Sequence, residues 1–259
     1  MDRQRLPWLS IALVSATALA YEVLLMRLFS IIQWHHFAYM MISLALLGYG
    51  VSGAFLMLLQ RQLLQRFAAS YLANLALFGF SSVACFLLAQ QIPFNAEEVL
   101  WDPRQSLWLL STYLLLAVPF FFAANAIGLA LVYYRERLSR IYAADLVGAG
   151  LGCIGILLLL FLLPPAAALT VLGLLGIVAA LVGARELQQG VALVWLLLPL
   201  VVALLLLPDS WRTLEISPYK GLSQTLLIKD TRVIAQPSSQ LGLLSVVESA
   251  SIPLRHAPC

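Results

Sequence analysis

Charged side chains are scarce in this chain: Lys, Arg, Asp and Glu together make up 10% of its 259 residues, against roughly 25% in soluble domains. Such scarcity excludes an ordinary water-facing surface. The excess of Lys and Arg over Asp and Glu amounts to a formal +3 and is carried mostly by short loops, so it does not form the clustered basic face that nucleic-acid binding needs. Cysteine is equally sparse. Cys85, Cys153 and Cys259 are scattered singly, two of them inside apolar runs, which excludes a disulfide framework and leaves them as small buried hydrophobes. His35 and His36 are adjacent, so they point to different sides of a helix, and no third ligand follows them. They read as interfacial histidines, and no metal site is expected. The chain has no G-x-x-x-x-G-K-[ST], H-E-x-x-H or G-x-S-x-G, so P-loop nucleotide hydrolysis, zincin proteolysis and α/β-hydrolase chemistry have no residues to run on.

What is abundant is hydrocarbon. Hydrophobic residues fill 62% of positions and mean hydropathy is +0.95, the composition of a polytopic membrane protein whose solvent includes the lipid bilayer. Apolar runs extend over 6–32, 37–60, 67–89, 106–134, a fifth that ends at Pro164-Pro165, 166–184 and 191–207. The first of them imitates a cleavable signal peptide, with Arg3 and Arg5 ahead of it and Ala18-Leu19-Ala20 inside it. Its apolar pattern continues for a dozen residues past Tyr21, however, and it reads as a span. The expected fold is an all-α transmembrane helix bundle of about seven spans, residues 1–208, followed by a short β-hairpin-like soluble tail, residues 209–259.

Arginines set the orientation. Arg3 and Arg5, then Arg61 and Arg66, then Arg135, Arg137 and Arg140, then Arg185 fall on alternate loops, whereas the long intervening loop holds Arg104 beside Glu97, Glu98 and Asp102. Cationic short loops stay cytoplasmic. The pattern predicts a multi-pass protein of the cell inner membrane with a cytoplasmic N-terminus, seven spans and an exterior tail.

Ionisable residues inside spans are functional candidates, because each costs at least ~2.5 kcal/mol at mid-bilayer. Here they are Glu22, Arg27 and Asp145. Glu22 and Arg27 stand about 140° apart around one helix and do not face each other. Depth separates Arg27, near the exterior end, from Asp145, one turn inside the cytoplasmic face, and excludes a salt bridge between them. Asn74, Asn125, Tyr142 and Asp145 fall at the same depth. They are expected to form one polar cluster, read first as interhelical hydrogen bonding and second as a hydration or proton-relay site. Gly48 and Gly53 lie within an apolar run, so their G-x-G-x-x-G pattern is no phosphate cradle; with Gly148 and Gly152 they are expected at close helix contacts. Pro119 removes a backbone hydrogen bond from the fourth run and is expected to kink it.

In the tail, Arg232-Val-Ile-Ala-Gln and Leu243-Leu-Ser-Val-Val-Glu alternate like strands around Gln-Pro-Ser-Ser-Gln, a hairpin pattern. Some fifty residues bury too little surface to stand alone comfortably. The ending, Arg-His-Ala-Pro-Cys, is expected to break off inside a domain.

Several segments together resemble the membrane-embedded spermidine synthase-like proteins, in which a multi-helix region precedes a polyamine aminopropyltransferase-like domain. They are Ala20-Tyr-Glu-Val-Leu with Arg27-Leu28, Tyr142-Ala-Ala-Asp-Leu-Val-Gly-Ala, Ile216-Ser-Pro-Tyr-Lys-Gly-Leu, and Leu244-Ser-Val-Val-Glu-Ser. The resemblance implies aminopropyl or related group transfer and an S-adenosylmethionine-type ligand, bound by a Gly-rich loop beyond the hairpin region. Carried over residue by residue, it yields no catalytic or cofactor-binding position in these 259 residues, and only Tyr219 and Lys220 as parts of that domain's entrance. A small-molecule or lipid transporter, and a structural subunit docking a protein partner or a second copy of itself, are the alternatives from other classes.

Overall fold

The computed structural model describes residues 6–33, 39–189, 201–202, 206, 220–235 and 244–249. Six long helices are built in order: α1 Trp8–Ile32, α2 Met40–Gln65, α3 Phe67–Gln90, α4 Pro103–Tyr133, α5 Leu138–Leu162 and α6 Pro165–Glu186. All six are long and apolar enough to cross a membrane. In hydrocarbon each backbone N–H and C=O needs a partner within the protein, and a helix supplies these from its own turns. Of the seventh expected run, 191–207, only Val201, Val202 and Leu206 are among the described residues, so it lies outside them.

Helix ends follow local chemistry. Asp102 caps α4, its carboxylate accepting from the Arg104 N–H at 3.0 Å, with Pro103 at the first helical position, where its missing N–H removes nothing. Pro165 opens α6 in the same way after the Pro164-Pro165 turn. The α4 helix continues through Pro119 without a break in its span.

The helices pack in the lateral order α5, α1, α6, α3, α4, α2, and α1 additionally touches α4 and α2. That makes α1 the hub, and 14 of its 25 residues are buried. Small residues set three close crossings. A Cβ at Gly148 would meet the Ala12 backbone, and one at Gly152 the Ala16 backbone. The two contacts ascend together in both helices, so α1 and α5 run parallel through an Ala-xxx-Ala seam facing a Gly-xxx-Gly seam. Gly79 of α3 meets Gly173 and Gly176 of α6, with only 2.7 Å from its would-be Cβ to the Gly173 carbonyl oxygen. Gly48 of α2 lies against Ala117 and Phe120 of α4.

Beyond the bundle, a six-residue helix, α7 Gly221–Leu226, leads into β1 Thr231–Ala235, which pairs antiparallel with β2 Val246–Ser249. The hairpin expected from alternation is therefore present, with Arg232 opposite Glu248 and their side chains 2.7 Å apart. Sequence alternation gave no sign of α7.

Candidate functional site

The candidate site is built around α1, which is gripped at both ends by side chains from late in the chain. At its N-terminal end Glu186, the last residue of α6, accepts from the N–H groups of Leu9 at 2.9 Å and Ser10 at 3.1 Å and from the Ser10 hydroxyl at 2.7 Å. The first turn of a helix leaves N–H groups without intrahelical partners and carries partial positive charge, so a carboxylate there is doubly favoured. Behind it the Tyr71 hydroxyl of α3 lies 2.9 Å from the Ser10 oxygen. Because the Ser10 proton goes to the carboxylate, Tyr71 is the donor in that pair.

At the other end, Lys220 donates to the carbonyls of Ser30 at 2.7 Å and Ile31 at 2.5 Å. These belong to the last turn of α1, where carbonyls lack intrahelical donors and the helix dipole is negative. Burial, and secondly the Arg27 guanidinium nearby, hold Lys220 below its ordinary pKa of 10.5. An undocked Lys220 thus binds its proton more readily than a docked one, so docking strengthens as the pH rises toward 10.5. Protease protection of the tail is expected to increase between mildly alkaline pH and 10.5 in the wild type and to stay flat in Lys220→Arg, which keeps its charge throughout.

About a third of the way along α1, Ser15 donates a short hydrogen bond to the Asp145 carboxylate of α5. Glu22 follows seven residues later, about two turns and 10 Å further along the same helix. It is half-buried. Tyr49 of α2 lies within electrostatic reach of both carboxylates. Two acids and a phenol thus come from three helices.

The polar cluster expected from depth alone does not form. Asp145 turns to Ser15; Asn74 bonds back to the Ser70 carbonyl of its own helix at 2.7 Å; Asn125 accepts from Ser52 of α2 at 2.9 Å; and Tyr142 is 54% exposed. Equal depth places residues in one slab of the bundle, whereas azimuth decides which helix each meets, and the four point to different neighbours. Gly53 likewise has open space where a Cβ would go, unlike Gly48, Gly148 and Gly152. Arg27 and Asp145 stand at separate places on the bundle, one beside Lys220 and the other on Ser15. His35, His36, Tyr219, Leu243 and Cys259 lie outside the described residues; Cys85 is buried and Cys153 partly so. Among the described residues no three His, Cys, Asp or Glu side chains gather as metal ligands.

The pair Ser52–Asn125 is a plain case of interhelical hydrogen bonding. A double-mutant cycle of Ser52→Ala and Asn125→Ala is expected to return a coupling of about 0.6 kcal/mol, up to ~1.7, read from thermal denaturation in detergent.

Sequence reading passed over Ser10, Ser15, Ser52, Tyr71 and Glu186. A signal was present for Glu186, an acid at the end of a span facing the same side as the start of α1. The serines gave none, since single hydroxyls are common in spans.

Six spanning helices and the lipid-facing apolar surface define a multi-pass integral membrane protein. Comparison with protein-family models, curated proteins and solved structures finds no match to the chain.

Proposed function

We propose that this chain is the membrane-embedded part of a spermidine synthase-like protein, seated in the inner membrane with its arginine loops cytoplasmic. The observation that carries the reading is where the resembling segments meet. Tyr142–Ala149 lies along α1 through Asp145 and Gly148, Lys220 closes the far end of α1 above Arg27, and Val246–Ser249 forms β2. The α5 segment and the Lys220 segment are far apart in sequence and both meet α1, which itself carries Ala20–Leu24 and Arg27-Leu28, whereas the fourth segment stands apart as β2.

A seventh crossing and an exterior tail belong to the same proposal. Glu186 sits at the N-terminal end of α1 and Lys220 at its C-terminal end. Those ends are separated by 25 residues, about 37 Å at the helical rise. The chain changes sides between these two positions, which supports one further span. Aminopropyl or related group transfer then requires a cofactor-binding domain supplied by residues other than these, with its donor available on the exterior face.

One assay tests both parts. The native protein, with whatever remains bound to it, is placed in sealed vesicles and given external decarboxylated S-adenosylmethionine and putrescine; methylthioadenosine release is measured. Release from right-side-out vesicles is the expected result. Release only from inside-out vesicles overturns the topology, and release from neither overturns the transfer reading.

A second reading, transport of a cationic small molecule, is favoured by Glu22, Asp145 and Tyr49 standing within three spans. It predicts saturable uptake of a polyamine into proteoliposomes that Glu22→Gln abolishes; uptake equal to that of empty liposomes ends it.

A further inference from the structure

The end of α7 and the turn after it carry three large apolar side chains outside the bundle: Leu226 and Ile228, each 41% exposed, and Leu227, 85% exposed. The turn is closed by its own backbone, the Leu227 N–H donating to Gln224 at 3.2 Å and the Ile228 N–H to Thr225 at 3.1 Å. A three-residue apolar cap is thus held in one shape while no described part of the chain covers Leu227.

Its position relative to the bilayer follows from Lys220. That side chain is fixed to the Ser30 and Ile31 carbonyls, the last turn of a spanning helix, and hence lies at the membrane boundary. Five helical residues then separate it from the cap, and the six steps from Lys220 to Leu226 span about 9 Å of rise. Leu226–Ile228 accordingly stand within reach of the zone where interfacial segments bury apolar side chains, about 5–10 Å into the headgroup and acyl boundary. Charge agrees with this placement. Lys220 and Lys229 bracket the cap; with the Lys220 head held on the α1 carbonyls, Lys229 is the one whose stem can lie along apolar surface while its head stays among headgroups. Arg232 and Glu248 neutralise each other on the hairpin, and Asp230 is the acid nearest the cap in sequence.

We propose that Leu226, Leu227 and Ile228 form an interfacial membrane foot, pinned by Lys220, that seats the extramembrane hairpin against the surface of the lipid bilayer at the C-terminal end of α1. The partner is the lipid surface itself, continuous with the lipid around the exposed apolar faces of α2 and α5. The proposal is independent of any group-transfer activity.

The test uses the full chain with Cys85→Ala, Cys153→Ala and Cys259→Ala, carrying Leu227→Cys labelled with a nitroxide and reconstituted in vesicles containing anionic phospholipid. Collision with oxygen, which partitions into lipid, is compared with collision with a water-soluble nickel complex. The expected result is strong oxygen relaxation with weak nickel relaxation, lost when Lys220→Ala is added. Strong nickel relaxation means the foot faces water, and weak relaxation by both means protein covers it; either overturns the proposal. Persistence of the lipid signature in Lys220→Ala overturns the role of the pin.

Discussion

Gly152→Leu is expected to prevent α5 from seating on α1 and to leave little folded protein in detergent extracts. The reason is the identity of what the new side chain meets. At Gly152 a Cβ alone already collides with the Ala16 backbone, carbonyl included, and at Gly148 with that of Ala12, and backbone cannot swing aside as a side chain does. Overpacking in a core costs typically 1–3 kcal/mol when side chains can adjust. Here the two helices must separate along the seam, so the loss lies at or above that range and includes the Ser15–Asp145 hydrogen bond. Gly53→Leu is the matched control: with open space around it it should fold as the wild type does. Recovery of monodisperse protein by size-exclusion chromatography reads both variants. Equal recovery of Gly152→Leu and Gly53→Leu would show that the seam does not hold the bundle.

The second large effect is expected at Glu186. Glu186→Ala removes acceptors for two backbone N–H groups and one hydroxyl at the start of α1. Loss of a helix N-cap costs about 0.5–2 kcal/mol, and hydrogen bonds to charged groups contribute ~1.5–3 kcal/mol. A loss of about 2–3 kcal/mol is therefore expected, seen as a lowered Tm in detergent. Glu186→Gln keeps an acceptor oxygen but discards the charge, and should recover part of the difference. The two variants separate hydrogen bonding from attraction to the helix dipole. If Glu186→Gln fell as far as Glu186→Ala, charge would carry the contact.

Much of this architecture is legible from residues alone, because lipid leaves the backbone few choices. Long apolar runs must be helices, and the runs over 6–32, 67–89 and 106–134 match α1, α3 and α4 within a few residues. Alternation around Val233 and Val247 marks the hairpin for the same kind of reason, since strand side chains have a period of two. Lateral neighbours are different. A span is apolar on all sides, so hydrophobicity carries no azimuth, and Asn74, Asn125 and Asp145 could be sorted by depth but not by direction. Glycines give partial direction: Gly148 and Gly152 share a face by their spacing of four, whereas Gly53 shares the composition of Gly48 without its contact. The grips at the two ends of α1 join residues far apart in sequence, Ser10 with Glu186 and Ser30 with Lys220; alternation of sides places Glu186 at the level of the start of α1, and the partners themselves leave no mark in the sequence.

That separation bears on the order in which the molecule comes into being. The helix made first has its ends closed by residues made among the last. With 176 positions between Ser10 and Glu186, synthesis at about 5–20 residues per second leaves the start of α1 waiting roughly 9–35 s for its carboxylate. Lys220 emerges later still. During that interval α1 sits in the bilayer as a helix with water or lipid headgroups at both termini, free to slide and turn until α5 and α6 arrive beside it. Completion of the bundle is thus also the event that locks the register of its oldest element, and a ribosome halted before Glu186 would leave an inserted but unlatched first helix for the membrane's quality-control proteases to find.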